Sequence, residues 1–102
     1  YTLAALPPLS ALDACLCMGA SIGMVSGAER AQGKEFSKGT VAVLGDSTFL
    51  HSGVTPLIDA VYNQQAITVM ILDNRITGMT GHQQNPASGK ERRCERKPLV
   101  TR

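Results

Sequence analysis

The chain has 102 residues, 43% of them hydrophobic but only 4% aromatic, and a formal net charge of +2. That length supports one domain with a modest core of Ala, Val, Ile, Leu and Met, leaves no room for two, and with ten glycines at this hydrophobicity argues against disorder. The charge is uneven, because Lys90, Arg92, Arg93, Arg96, Lys97 and Arg102 crowd the end, which divides the chain into a 1–89 body and a basic 90–102 tail. The tail lacks the interleaved aromatics and the recognisable module of a nucleic-acid binder.

Tyr1 to Ser10 reads as a loop stiffened by Pro7-Pro8, with Ser10 as an N-cap. A helix is expected from Ala11 to about Arg30, rich in small residues such as Gly19, Ala20, Ser21, Gly23 and Gly27. Each interior glycine costs roughly 1 kcal/mol relative to alanine, so such a helix must gain from close approach to a sheet, another helix or a ligand. Cys15 and Cys17 are expected on it as buried thiols; with Cys94 they form neither a disulfide framework nor a Cys-x-x-Cys metal site, and a reducing cytoplasm suits them. The apolar opening lacks the basic n-region of a signal peptide, and no stretch is long enough to span a bilayer.

Thr40 to Leu44 is a continuous apolar run of the kind buried on both faces of a parallel sheet. After Gly45-Asp46-Ser47-Thr48 a helix runs to about Gln65, its first turn marked by Ser52-Gly53 or by Thr55-Pro56. Leu57, Ile58, Val61 and Tyr62 fall on one face of it. Ile67 to Leu72 is a second buried strand, parallel to the first and beside it. A polar loop follows from Arg75 to Gly89; loops of that length past a strand's carboxyl end are commonly functional.

Strand, helix, strand, with an oxygen ligand at each carboxyl end, is how a parallel sheet holds a divalent cation and the phosphates it neutralises. Asp46 supplies a charged oxygen and Asn74 an amide oxygen, while main-chain carbonyls beyond Asn74 offer a third. The N–H groups of Gly45 to Thr48 and the hydroxyls of Ser47 and Thr48 suit phosphate, at the positive end of the following helix. Asp73 is the ambiguous neighbour, although adjacent strand residues point to opposite faces, so only one of Asp73 and Asn74 should reach the metal. On spacing alone, an aspartate in Gly-Asp-Ser is equally a turn residue.

Gly45-Asp46-Ser47 followed by a helix and Leu72-Asp73-Asn74 resembles the thiamine diphosphate signature. The run Gly45 to Gly53, with Leu72 to Gln83, Tyr1-Thr2-Leu3 and Met18 to Gly23, is similar to the alpha subunit of the indolepyruvate ferredoxin oxidoreductases. The resemblance covers roughly Tyr1 to Gly89. It implies a truncated three-layer α/β fold with a parallel sheet that binds thiamine diphosphate and Mg²⁺. It implies metal ligation by Asp46, Asn74 and the carbonyl of Ile76, a diphosphate lining of Gly45, Ser47 and Thr48, and a small-residue segment Gly19, Ala20 and Ser21 near the cofactor. It also implies coenzyme-A-dependent oxidative decarboxylation of an aryl pyruvate (a 2-oxoacid), with electrons leaving through [4Fe-4S] clusters to ferredoxin, and a second subunit. Ser47 stands where the general signature has glycine, and the tail after Gly89 does not continue the family pattern.

The cluster cysteines are missing. So is an evident carboxylate for the aminopyrimidine, since Glu29 and Glu35 read as ordinary surface acids. The chain, opening on tyrosine, is therefore expected to be a fragment with weak cofactor binding at most and no turnover alone. The competing readings are a segment of a non-oxidative thiamine-dependent decarboxylase and a non-catalytic orphan fragment. His51 reads as a structural residue beside the phosphate turn, His82 carries no assigned role, and the methionines read as packing, with Met79 in the loop also placed to touch the cofactor.

Overall fold

A computed structural model describes residues 2–89; the basic tail and Cys94 lie outside the described residues. The two apolar runs form β1 (Val41–Gly45) and β2 (Thr68–Leu72), paired in parallel with Val41 opposite Thr68 and Gly45 opposite Leu72. This is the α/β unit expected from the sequence, reduced to a two-stranded sheet. Burial alternates along β1, where Ala42 and Leu44 are enclosed and Val41 is open. Met70, Ile71 and Leu72 of β2 are 40–49% exposed, so the described residues cover neither strand on both faces.

The crossover helix starts earlier than either expected first turn. It leaves β1 directly as α3 (Asp46–Thr48), passes through a π turn at Phe49–Gly53 and continues as α4 (Val54–Tyr62). The Val54 N–H donates to Phe49 O, an i→i−5 bond. The ladder shifts one turn before Pro56, whose missing N–H would interrupt a regular helix. Gly53 is required here: a Cβ on it would lie 2.7 Å from Leu44 Cδ1 and 3.0 Å from Phe49 Cδ2. The helix can approach β1 that closely only without a side chain at this position.

The long first helix begins late. Ser10 has φ 41° and caps nothing, and α1 spans Ala20–Gln32, with a short α2 at Lys34–Ser37. Residues 11–18 are irregular, and their Leu16 and Met18 are exposed. A helical turn with no packing partner does not repay its nucleation cost, which accounts for the delay. Together with α1 and β1 they wall an open groove of about 840 Å³. Cys15 and Cys17 line it as exposed free thiols, not buried ones.

The core joins α1, β1 and α4 through Ile22, Val25, Ala42, Leu44 and Ala60, with Phe49, Leu57, Ile67 and Val69 packed around them. The expected apolar face of α4 is split. Leu57 and Ala60 turn inward, while Ile58, Val61 and Tyr62 are 64%, 70% and 85% exposed. The close approach at Gly53 fixes the helix rotation, and among the described residues only one of its two apolar stripes packs into the core. Among the described residues no helix is long and apolar enough to cross a membrane.

Candidate functional site

The carboxyl ends of β1 and β2 lie side by side. Because Gly45 is level with Leu72, Asp46 and Asp73 leave the sheet together and Asn74 follows one residue later. Asp46 is 6% exposed, and its Oδ1 accepts from the Ser47 N–H at 2.8 Å. That bond commits one of the N–H groups expected to face phosphate. Ser47 Oγ accepts from Thr77 Oγ1 at 3.2 Å, which ties the turn after β2 onto the turn after β1. Thr48 is buried rather than displayed.

Beyond β2 the chain makes two side-chain-capped turns. Asn74 Oδ1 accepts from the Ile76 N–H at 3.1 Å, and Asp73 Oδ1 accepts from the Arg75 N–H at 3.0 Å. Arg75 has φ 56°, and its Nε lies 3.8 Å from Asp73 Oδ2. Asp73 is thus engaged locally by Arg75, on main chain and side chain, whereas Asn74 organises the segment that presents Ile76. Among the described residues no three His, Cys, Asp or Glu side chains form a metal site. A cation here would depend on amide and main-chain oxygens beside Asp46.

The small-residue segment arrives from the far end of the chain. Gly19 caps α1 in the left-handed region at φ 89°, and Ala20 and Ser21 form the first turn. A Cβ on Gly19 would lie 2.8 Å from Ser52 Oγ and 3.5 Å from Thr48 Cγ2, so α1 starts directly against the crossover helix. Ser52 Oγ in turn sits 2.7 Å from His51 Nδ1 and 3.3 Å from Thr48 O, which places exposed His51 in a supporting contact. His82 is exposed at φ 63° in the loop, and Met79 beside it is 78% exposed rather than packed. Ser21 Oγ is buried with no hydrogen-bond partner among the described residues.

Three residues escaped the sequence reading. Asn85, 7% exposed, directs Nδ2 at Asp46 Oδ2 from 3.5 Å. Its signal was the Asn85-Pro86 pair, a helix-cap residue followed by the proline of a first turn; it opens a 3₁₀ turn at Pro86–Ser88. Thr77 had no signal. Glu29 is a correction: it is not a surface acid but 5% exposed, and its Oε1 accepts from the Ala66 N–H at 3.2 Å. It lies on the same helical stripe as Ile22, Val25 and Ser26, and that spacing foretold an inward side chain. Gln65 Nε2 donates to Ser26 O at 3.0 Å, so Glu29 and Ser26 together pin α1 to the entry of β2. Glu35 is exposed as expected and pairs with Lys38 at 2.6 Å.

A model of the thiamine pyrophosphate enzyme C-terminal TPP binding domain matches residues 2–100. The chain belongs to this domain family. It is similar to "Indolepyruvate oxidoreductase subunit IorA" of Archaeoglobus fulgidus, 46% identical over 89 residues, covering 87% of this chain and 14% of that protein. The subunits of the same name from Methanothermobacter marburgensis and Methanothermobacter thermautotrophicus are 44% and 48% identical, over 99% and 84% of this chain and 16% and 13% of theirs. The chain therefore spans about one seventh of the length of these curated relatives. No solved structure matches it. The donors fit a diphosphate held through a divalent cation: a buried carboxylate, a carboxamide and main-chain oxygens are all hard ligands.

Proposed function

We propose that this chain is the thiamine diphosphate- and Mg²⁺-binding segment of an indolepyruvate-type 2-oxoacid ferredoxin oxidoreductase, which converts aryl pyruvates to acyl-coenzyme A. Asp46 is the charged metal ligand, Asn74 the amide ligand and Ile76 the carbonyl ligand. Gly45, Ser47 and Thr48 border the diphosphate, and Gly19, Ala20 and Ser21 border the cofactor from the side of α1. The observation that carries this reading is the Thr77–Ser47 contact, which brings the turn bearing Asn74 and Ile76 onto the turn bearing Asp46.

When bound, thiamine diphosphate supplies the nucleophilic carbon and the electron sink for decarboxylating a 2-oxoacid. The residues of this chain bind and orient; none is assigned a proton transfer. Asp46 offsets cation charge from an enclosed position, where an ionic contact is stronger than in water. The N-terminus of the crossover helix adds its positive end toward the phosphates. The carboxylate that activates the aminopyrimidine, the [4Fe-4S] clusters, the coenzyme A and ferredoxin contacts and a second subunit belong to the remainder of the enzyme.

Calorimetric titration with thiamine diphosphate, with and without Mg²⁺, tests this on the product of the complete open reading frame containing the chain. Asp46→Ala is expected to weaken Mg²⁺-dependent binding by more than about 100-fold, beyond the usual effect of an outer-shell change. Asp73→Ala should retain most of the binding. Equal losses would overturn the assignment of Asn74 over Asp73, and Mg²⁺-independent binding would overturn the site.

A further inference from the structure

Asp46 is held by two donors of different origin. The Ser47 N–H holds Oδ1 from the next residue, and Asn85 Nδ2 reaches Oδ2 from the far end of the loop after β2. Asn85 is itself immobilised. Its Oδ1 accepts from the Ala87 N–H at 2.9 Å, and its main-chain O accepts from the Ser88 N–H at 2.9 Å and Ser88 Oγ at 2.7 Å. Its side chain is buried, and the 3₁₀ turn it caps packs on α3. The amide orientation therefore follows from the cap: once Oδ1 takes the Ala87 N–H, Nδ2 is left to face Asp46.

The donor's chemistry narrows its purpose. An Arg or Lys partner would remove the charge of a buried carboxylate as well as satisfy it; among the described residues Asp46, like the buried Glu29, meets only neutral donors, but unlike Glu29 it stands at the carboxyl end of β1. Among the described residues the ion pairs are Lys38–Glu35 and Arg75–Asp73, and Asp46 has none. Asn85 instead fixes the carboxylate with a neutral N–H. Each carboxylate oxygen has two acceptor sites, so one donor on each leaves one site per oxygen and the full negative charge.

We propose that Asn85 is the positioning residue of the metal site. It fixes the plane of the Asp46 carboxylate without neutralising it, so that the charge stays available to a divalent cation. This rests on the thiamine diphosphate–Mg²⁺ reading and assigns Asn85 no contact with cofactor or cation. The same role explains why a long polar loop closes back over the strand ends.

The test is Mn²⁺ uptake, read by electron paramagnetic resonance at saturating thiamine diphosphate in the product of the complete open reading frame. Asn85→Ser keeps a capping oxygen for the Pro86–Ser88 turn but is too short to reach Asp46. It should raise the Mn²⁺ half-saturation by about 10- to 100-fold, as removal of an outer-shell partner does, with the metal-free Tm close to wild type. Asn85→Thr repeats the test should the serine variant lose its fold. Gln83→Ala is the control, because Gln83 orders the same loop through bonds of 2.6 Å to Thr80 and does not touch Asp46. It should leave Mn²⁺ affinity unchanged. Unaltered or tighter Mn²⁺ binding in both Asn85 variants, or an equal loss in Gln83→Ala, would overturn the proposal while leaving the cofactor reading in place. Absence of Mn²⁺ uptake by the wild type would overturn the cofactor reading itself.

Discussion

Two glycines of the same helix should respond to alanine with opposite sign. Gly19 sits at φ 89°, and an added Cβ would meet Ser52 Oγ at 2.8 Å and Ser52 Cβ at 3.0 Å. The left-handed backbone costs a Cβ-bearing residue roughly 1–2 kcal/mol. Moving Ser52 aside also breaks its contacts with His51 Nδ1 and Thr48 O, each worth about 0.5–1.5 kcal/mol. Gly19→Ala should therefore destabilise the fold by about 2–5 kcal/mol, a fall in Tm of roughly 8 °C or more for a domain of this size. Gly23 lies inside α1 with open space around its Cβ direction. There alanine should stabilise by about 0.5–1 kcal/mol through helix propensity and a less disordered unfolded chain. Equilibrium urea unfolding followed by far-ultraviolet circular dichroism reads both, with the m-value as a check on the two-state assumption. A neutral Gly19→Ala, or a Gly23→Ala as damaging as Gly19→Ala, would refute the placement of α1 against the Thr48–Ser52 turn.

Gly53→Ala should cost about 1–3 kcal/mol by overpacking, since its Cβ would strike the fully buried Leu44. Leu44→Ala should cost about 2–5 kcal/mol alone, but the double variant should lose less than the sum, and strict additivity in a double-mutant cycle would show that the two sites do not touch. Glu29→Ala should destabilise by about 1.5–3 kcal/mol through loss of a hydrogen bond to a charged group. Glu29→Gln keeps an acceptor for the Ala66 N–H, so it should lose less stability than Glu29→Ala; urea midpoints at which both variants fall equally would argue against the Glu29–Ala66 clamp.

What was legible in the sequence was whatever short-range chemistry controls. The apolar runs Thr40 to Leu44 and Ile67 to Leu72 announced parallel strands, observed at Val41–Gly45 and Thr68–Leu72, because a strand needs only a continuous β-branched stretch bounded by turn residues. Asp46 follows β1 directly and Asn74 lies two residues beyond the end of β2, so position along the chain makes both candidates at the sheet edge. The signature around them resembles that of the family to which the chain belongs. Boundaries were less legible. Residues 11–18 were expected as helix but are irregular and largely exposed, and the crossover helix started at Asp46 because Phe49 and Gly53 had places in the core.

The sequence by itself determined the class of fold, the order of its elements and the two strand-end residues on which a metal reading depends. Only the tertiary structure decided which side chains attend them. It brought Gly19 onto the Thr48–Ser52 turn, Thr77 onto Ser47 and Asn85 onto Asp46, and it drew Glu29 out of solvent. Those partners are separated along the chain by whole elements. No local propensity encodes such a contact; it arises when the sheet register and the close approach at Gly53 fix where each loop must return.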